Sequence, residues 1–430
     1  MEIKANRKHF FERAYYYSLS RMKYGITKNH LYRDSSYFES LQLRRFRKLI
    51  RHAYRYSEFY RNLYDAAQVD IDRIVSLEDI QKLPIITKEM IKETRPESIA
   101  TRSIGRLAEF KTSGSTGIPL CIYYSQKDRK GQDMLWRRAY EENGYSFRKD
   151  RLFRFVHPVD FDHKKNSNII EVSVLDGYGK ACETLAKFRP DVIEGYPSDI
   201  FALARESATA GVRVNPRMIY THSEILDSTS REFIRETFGC PLTDIYGAME
   251  AGCIAFQCKS GHYHVNIDGV VLEVLNDKGR TFFEGTGEAI VTNLFSYGMP
   301  IIRYNIMDII TMQEKSIGCE MRLPAISILH GKAYDFITSR TSRVFSPHLP
   351  KQILGRIKEI QTFRIIQQTI DDLNIEVVLN RGAKEFDVTR LQYQLYEAFD
   401  GEFNIKVSIV DSISRKGSNK YKSVVKLLNG

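Results

Sequence analysis

Long apolar runs are missing from this 430-residue chain. None approaches the roughly 18–20 residues that a helix needs to cross a bilayer. Residues 1–20 mix Lys4, Arg7 and Lys8 with aromatics rather than offering an apolar signal core, so the expected location is the cytoplasm. Cysteine is sparse: Cys121, Cys182, Cys240, Cys253, Cys258 and Cys319 follow no framework spacing, as expected where thiols stay reduced. The familiar phosphate-loop pattern G-x-x-x-x-G-K-[ST] is absent, and so are internal repeats and low-complexity segments. A hydrophobic content of 43% with 27% charged residues excludes a mainly disordered chain, and the length suggests two or three domains.

What is present in excess is positive charge, and it is concentrated. The chain carries a formal +11, and between Met1 and Leu63 fifteen Lys or Arg face five Asp or Glu, a difference of +10. Tyr15, Tyr16, Tyr17, Tyr24, Tyr32 and Tyr37 are interleaved with these charges. Such a mixture suits a solvated helical face packed on the main body, and a weak peripheral contact with an anionic membrane is the second reading. No nucleic acid is expected as a partner.

In chain order, residues 38–66 read as one or two helices, with Leu41, Leu43, Phe46, Ile50, Ala53 and Tyr54 on one stripe. Thr87 is placed to cap a following helix. Leu107 to Lys111 and Pro119 to Tyr124 read as the arms of a hairpin, and Gln126 to Asn143, holding the single Trp136, as a surface helix. From Arg151 to Tyr246 strands and helices alternate: strands at 152–156, 191–195, 218–221 and 242–246, helices at 180–188, 198–210 and 228–238. That rhythm predicts a mostly parallel sheet covered by helices, whose ligands gather at the carboxyl ends of the strands. Gly195-Tyr196-Pro197-Ser198, Ser223-Glu224 and Tyr246-Gly247-Ala248-Met249-Glu250 fall there. Residues 268–312, including a strand at Pro300 to Tyr304, predict a β-rich subdomain. Beyond it a hairpin about Asp371-Asp372, a helix from Asp387 and a strand from Phe403 to Val410 form an α+β tail.

The chain is organised around Phe110-Lys111-Thr112-Ser113-Gly114-Ser115-Thr116-Gly117-Ile118-Pro119. Four hydroxyl side chains and two glycines let the backbone form a concave nest whose N–H groups converge on one anion, as a triphosphate requires. Alone, the stretch fits a polar hairpin tip equally well.

Five motifs in order resemble the adenylate-forming enzymes. They are Thr112-Ser113-Gly114-Ser115-Thr116-Gly117, Tyr246-Gly247-Ala248-Met249-Glu250, the run from Pro300 to Asp308, Gly331-Lys332-Ala333-Tyr334-Asp335, and Lys420 within Asn419-Lys420-Tyr421-Lys422. The nearest branch looks like the phenylacetate–CoA ligase family, and within it the relatives found in capsular polysaccharide biosynthesis. The resemblance implies an α/β fold: a large adenylation domain over 1–332, with 1–66 as its basic helical segment and 268–312 as its β-rich part, and a small mobile α+β domain over 333–430. It implies ATP, Mg2+ and coenzyme A, and a reaction that joins a carboxylic acid to an acceptor through an acyl-adenylate. Building negative charge at the α-phosphorus makes catalysis a matter of positioning and positive charge. By the same resemblance Thr112, Ser113, Gly114, Ser115, Thr116 and Gly117 hold phosphates and Glu250 coordinates Mg2+. Tyr246 packs on adenine, Asp308 accepts the ribose hydroxyls, Glu224, Gly247 and Arg303 complete the ATP site, and Lys420 reaches the α-phosphate. Met249, Met307, Lys332 and Tyr334 depart from the family pattern without removing a catalytic charge.

Cys258, His264 and Cys319 match positions that bind zinc in some relatives of this branch. A structural zinc takes four ligands, so the fourth is Cys253, His262 or water. Tyr196, Pro197, His157 and Tyr220 could line an acyl cleft or simply pack in the core. The acceptor is a thiol or an amine, and the family tends to form dimers. Two rivals from other classes stand beside the ligase: a nucleotide-binding partner without turnover, and an adaptor that works through the basic N-terminal segment.

Overall fold

The computed structural model describes residues 31–101, 105–111, 120–156, 168–313 and 319–332. From 337 to 427 it describes all but 342, 346–349, 351–352, 355–356, 358, 381–382, 384–385 and 414–423. The glycine loop at 112–117, the first thirty residues, His157, residues 333–335 and Lys420 lie outside the described residues. Two compact units emerge: Met1–Thr112 with Ile118–Lys149 and Thr243–Leu329, and Ser113–Gly117 with Asp150–Leu242 and His330–Gly430.

The first unit opens with α1 (Ser35–Tyr56), started by the Asp34 side chain, which accepts from the Tyr37 amide. Its buried stripe holds Phe38, Leu41, Phe46, Leu49, Ile50 and Ala53, as the 3.6-residue spacing requires. Ser57 ends this helix through its N–H to the Ala53 carbonyl and starts α2 (Glu58–Ala66) through its hydroxyl. The Tyr60 hydroxyl then donates to the Pro300 carbonyl at 2.8 Å and accepts from the Ile302 amide at 3.1 Å. The described part of the basic segment is thus a helical pair packed on the body. Thr87 caps a short helix, accepting from the Met90 amide.

The expected hairpin is β1 (Leu107–Lys111) with β2 (Cys121–Ser125), Phe110 opposite Ile122. Next comes α3 (Gln126–Glu142), which begins in a reciprocal capping box between Ser125 and Asp128. Asp128 also accepts from the amides of Tyr297 and Gly298, tying this helix to a distant turn.

In the second unit β3 (Leu152–Val156) and β4 (Ile169–Ser173) are followed by α4 (Tyr178–Phe188), β5 (Val192–Gly195), α5 (Pro197–Thr209), β6 (Met218–His222) and α6 (Ser228–Phe238). The strands lie in the order β6-β5-β3-β4, all parallel. Helices cover one face, where Phe153, Ile193 and Ile219 pack against Leu185, Leu203 and Ile234.

Chain then returns to the first unit. Strands β7 (Leu242–Ala248), β8 (Gly252–Gln257), β9 (Tyr263–Val265), β10 (Val270–Leu275), β11 (Gly285–Asn293), β12 (Tyr304–Gln313) and β13 (Ala325–Lys332) form a run ordered β10-β11-β12-β13-β9-β8-β7, antiparallel from β10 to β12 and from β13 to β7. The strand expected at Pro300 to Tyr304 starts only at Tyr304. Arg303 has φ 50°, a left-handed conformation that extended structure does not admit.

The tail forms β14 (Ile360–Gln367), β15 (Asp372–Leu379), α7 (Val388–Ala398), β16 (Asn404–Ile409) and β17 (Val424–Lys426), with strand order β16-β15-β14-β17. Asp387 caps α7, and Ile365, Ile375, Leu391, Leu395 and Phe399 share a hydrophobic cluster drawn from 337–424 alone. Among the described residues no helix is long and apolar enough to cross a membrane.

Candidate active site and metal centre

The turn between β7 and β8 and the start of β12 bring two of the sequence-derived acids into one neighbourhood. The register of β7 on β8 shifts between Tyr246 and Gly247, the local irregularity by which a sheet re-aims its side chains. Gly247 has a packing reason for being glycine: a Cβ there would lie 2.7 Å from the Gly252 carbonyl oxygen and 3.1 Å from the Trp136 ring. Tyr246 donates its hydroxyl to Asp308 Oδ2 at 2.7 Å. Burial first, and then the Asp308 charge, push the Tyr246 phenol well up, so it stays a donor. Tyr304 reaches Glu250 Oε1 at 3.4 Å, a long contact, and burial followed by the Glu250 charge raises its phenol as well.

Backbone geometry fixes both carboxylates. Glu250 is anchored through its carbonyl, which accepts from Asn293 Nδ2 and from the Tyr124 hydroxyl, each at 3.1 Å. Asp308 follows Met307, which has φ 61° and donates its amide to Asn305 Oδ1 at 2.8 Å. A left-handed backbone favours glycine, and Met307 adopts it under strain.

Arg303 requires a correction, because the structure gives it a different role from the expected contact with ATP. Its guanidinium is buried and donates to both Glu273 oxygens at 2.9 and 3.1 Å, to Thr281 Oγ1 at 2.8 Å, to the Gln81 carbonyl at 3.1 Å and to the Leu83 carbonyl. All five donors are committed, so none remains for a nucleotide. Glu224 lies in the other compact unit, where its Oε2 accepts from the Ser198 amide at 3.1 Å in the first turn of α5. Tyr220 and Pro197 are buried, and Tyr196 is half-buried.

A second site forms where β8 turns into β9. The Cys258 amide donates to the His262 carbonyl at 3.0 Å, and Gly261, at φ 85°, lets the chain reverse tightly. The ligand atoms of Cys258, His262, His264 and Cys319 all lie within 4.8 Å of one another. His264 is fully buried, and neither of its ring nitrogens has a hydrogen-bond partner; His262 Nδ1 is buried and equally unsatisfied. Stranding such nitrogens costs about 1–3 kcal/mol each, which a metal would offset. The two sulfurs are 3.7 Å apart, matching the edge of about 3.8 Å expected for two thiolates at about 2.3 Å from one tetrahedral zinc. Burial opposes ionisation of Cys258, yet the adjacent His264 ring, with the backbone amides of His262 and Ser260, brings its thiol down to about 6.

Of the alternatives for a fourth ligand, the geometry selects His262. Cys253 is engaged elsewhere: Asn266 donates to its sulfur at 3.3 Å, and burial pushes its thiol up to about 12. The spacing Cys258-x-x-x-His262-x-His264 is the signal from which the quartet could have been read directly.

Residues 336–426 match the family model described as the CapK C-terminal domain. Protein CapK of Staphylococcus aureus is 24% identical over 399 residues, covering 88% of this chain and 87% of the relative. Phenylacetate-coenzyme A ligase of Escherichia coli (strain K12) is 25% identical over 335 residues, covering 74% and 76%. Among solved structures, 2-hydroxyisobutyryl-CoA ligase in the postadenylation state has a TM-score of 0.76 at 16% identity, covering 91% of this chain and 90% of that one.

Proposed function

We propose that this chain, an AMP-forming ligase similar over most of its length to CapK and to phenylacetate-coenzyme A ligases, activates a carboxylic acid with ATP and passes the acyl group to coenzyme A. The observation that carries this reading is the pairing of Tyr246 with Asp308 at 2.7 Å beside Glu250. A carboxylate backed by a tyrosine hydroxyl keeps a fixed orientation and retains lone pairs for two vicinal hydroxyls, as a ribose presents. In the first step a carboxylate oxygen of the acid bonds to the α-phosphorus, and the bond from that phosphorus to the departing pyrophosphate breaks. In the second, a thiol sulfur attacks the acyl carbon and AMP leaves with the electron pair. By the resemblance of their sequence motifs, residues 112–117 are assigned to the phosphates and Lys420 to neutralising charge at the α-phosphate. Glu250 is the ligand for magnesium, which when bound neutralises phosphate charge. The likeness to CapK favours a place in surface polysaccharide biosynthesis.

Cys258, His262, His264 and Cys319 hold a structural zinc in this reading, a closed set with no position left for a reactant. The test of function is mass spectrometry on reactions of ATP with a panel of acids, with coenzyme A or an amine as acceptor. The reading expects AMP and an acyl thioester together. An amide in place of the thioester would reassign the acceptor, and ATP binding without AMP from any acid would favour the inactive partner.

A further inference from the structure

Helix α1 turns one face to the core of the first unit and the opposite face to solvent. Phe46, Leu49, Ile50 and Ala53 are buried in that core. Arg44, Lys48, Arg51 and Arg55 follow one another at intervals of four, three and four residues, and all four are exposed. At 3.6 residues per turn they fall within about 60° of one another on the far side of the helix, and at 1.5 Å per residue the row is about 16 Å long. Arg33, just ahead of the helix, is exposed as well and lies over the Tyr37 ring, 5.8 Å from its centroid. At the other end Arg61 donates to the carbonyls of Tyr54 and Arg55 at 3.2 and 2.8 Å, which adds a cation beside Arg55.

This row works against the helix that carries it. Residues three or four apart on a helix are neighbours; opposite charges there support it and like charges weaken it. Arg44 with Lys48 and Arg51 with Arg55 are like charges four apart, and Lys48 with Arg51 are like charges three apart. Over its whole length α1 holds Arg44, Arg45, Arg47, Lys48, Arg51 and Arg55 against Glu39 alone. A helix shaped only for solubility would interleave acids with these bases. Asp72 pairs with Arg51 at 2.8 Å, both side chains being well exposed. Among the described residues no carboxylate pairs with Arg44, Lys48 or Arg55.

We propose that this face of α1 rests on an anionic bilayer surface. The contact goes beyond the ligase reading and does not depend on it. Because the apolar side of the helix is already packed, the helix stays outside the hydrocarbon and the attraction is electrostatic: the cations meet lipid phosphates lying in one plane. Their hydrocarbon stems, and the Tyr56 ring that Arg55 covers at 5.2 Å, lie at the level of the headgroups. A straight row with no aromatic between its cations fits such a plane. A single-stranded nucleic acid would instead call for rings among the cations on which bases stack. Each cation near an anionic surface contributes about fivefold in affinity, so the row gives a weak, reversible contact that salt removes.

Cosedimentation of the full chain with vesicles of phosphatidylglycerol and phosphatidylcholine, against vesicles of phosphatidylcholine alone, tests the proposal. Wild type is expected to bind the anionic vesicles at low ionic strength and to leave them at about 1 M salt, where screening falls to about 3 Å. Changing Arg44, Lys48 and Arg55 together to Gln removes three charges without touching the core, and should cut the partition coefficient about 100-fold with Tm unchanged. Arg44→Lys with Arg55→Lys keeps the charge and should bind as wild type does. No preference for the anionic vesicles, or binding that the triple variant retains, overturns the proposal. Tighter binding to single-stranded RNA that the same variant loses overturns it too, and leaves the ligase reading intact.

Discussion

Tyr246 and Asp308 form a pair in which a neutral phenol orients a carboxylate, and each contributes differently. Asp308→Ala should lower kcat/KM for ATP by about 100-fold or more with little change in Tm, since it removes a binding group rather than core packing. Tyr246→Phe keeps the ring and loses one hydrogen bond, so steady-state kinetics should show a loss of about tenfold. Arg303→Ala is expected to behave oppositely. Leaving Glu273 buried without its partner costs about 3–5 kcal/mol, seen as a large fall in Tm, while the KM for ATP of the remaining folded protein stays near wild type. Read in sequence, Arg303 sits in a motif with Asp308 and invites a nucleotide role. Which side of the backbone its guanidinium takes depends on Glu273 and Thr281, about 20 to 30 residues earlier, and no local pattern encodes that.

Glu194 adds a dependence on pH. Burial opposes its charge, but Arg154 and then His222 overcome burial and hold the carboxyl at about 2. A carboxyl depressed below its ordinary value of about 4.3 stabilises the fold fully above that value, and the contribution disappears as pH falls through about 2. The difference in unfolding free energy between wild type and Glu194→Gln should therefore be about 3 kcal/mol near neutrality and should narrow between about pH 4 and 2. A difference that is flat across that range would show that Glu194 is not held ionised by its neighbours.

At the scale of elements, the hairpin of β8 and β9 carries the metal prediction. Purified protein should contain about one zinc per chain by elemental analysis, and Cys258→Ser or His262→Ala should lose it and lower Tm. Wild type treated with a strong chelator should fall toward the same Tm; full stability without any bound metal would refute the site. This hairpin was hard to see in the sequence, because Gly252–Gln257 is a short, wholly buried run without alternation. The helices at Ser35–Tyr56 and Ser228–Phe238 were plain, since each combines a capping aspartate with a regular apolar stripe. The strand expected at Pro300 to Tyr304 is cut short because the left-handed Arg303 interrupts the extended chain.

For the whole molecule, alternation between 151 and 246 was enough to foresee a parallel sheet and its helices. It could not say which distant segments join, and Asp150–Leu242 falls in one compact unit with His330–Gly430. Long-range grouping of that kind depends on packing between faces rather than on any local period. The tail is different, since its cluster around Ile365, Leu391 and Phe399 is drawn from 337–424 alone. Expressed by itself, 333–430 should give cooperative thermal unfolding and dispersed amide resonances. A chain without either would mean that the tail needs the remainder to fold.

The central proposal is that this chain uses ATP to turn an acid into an acyl-adenylate. Pyrophosphate released in a single turnover, with the preferred acid in excess, tests it most directly. Wild type should release pyrophosphate only when the acid is present, and Lys420→Ala and Asp308→Ala should each slow that burst by about 100-fold or more. Bursts of wild-type size in both variants, or release that ignores the acid, would contradict it.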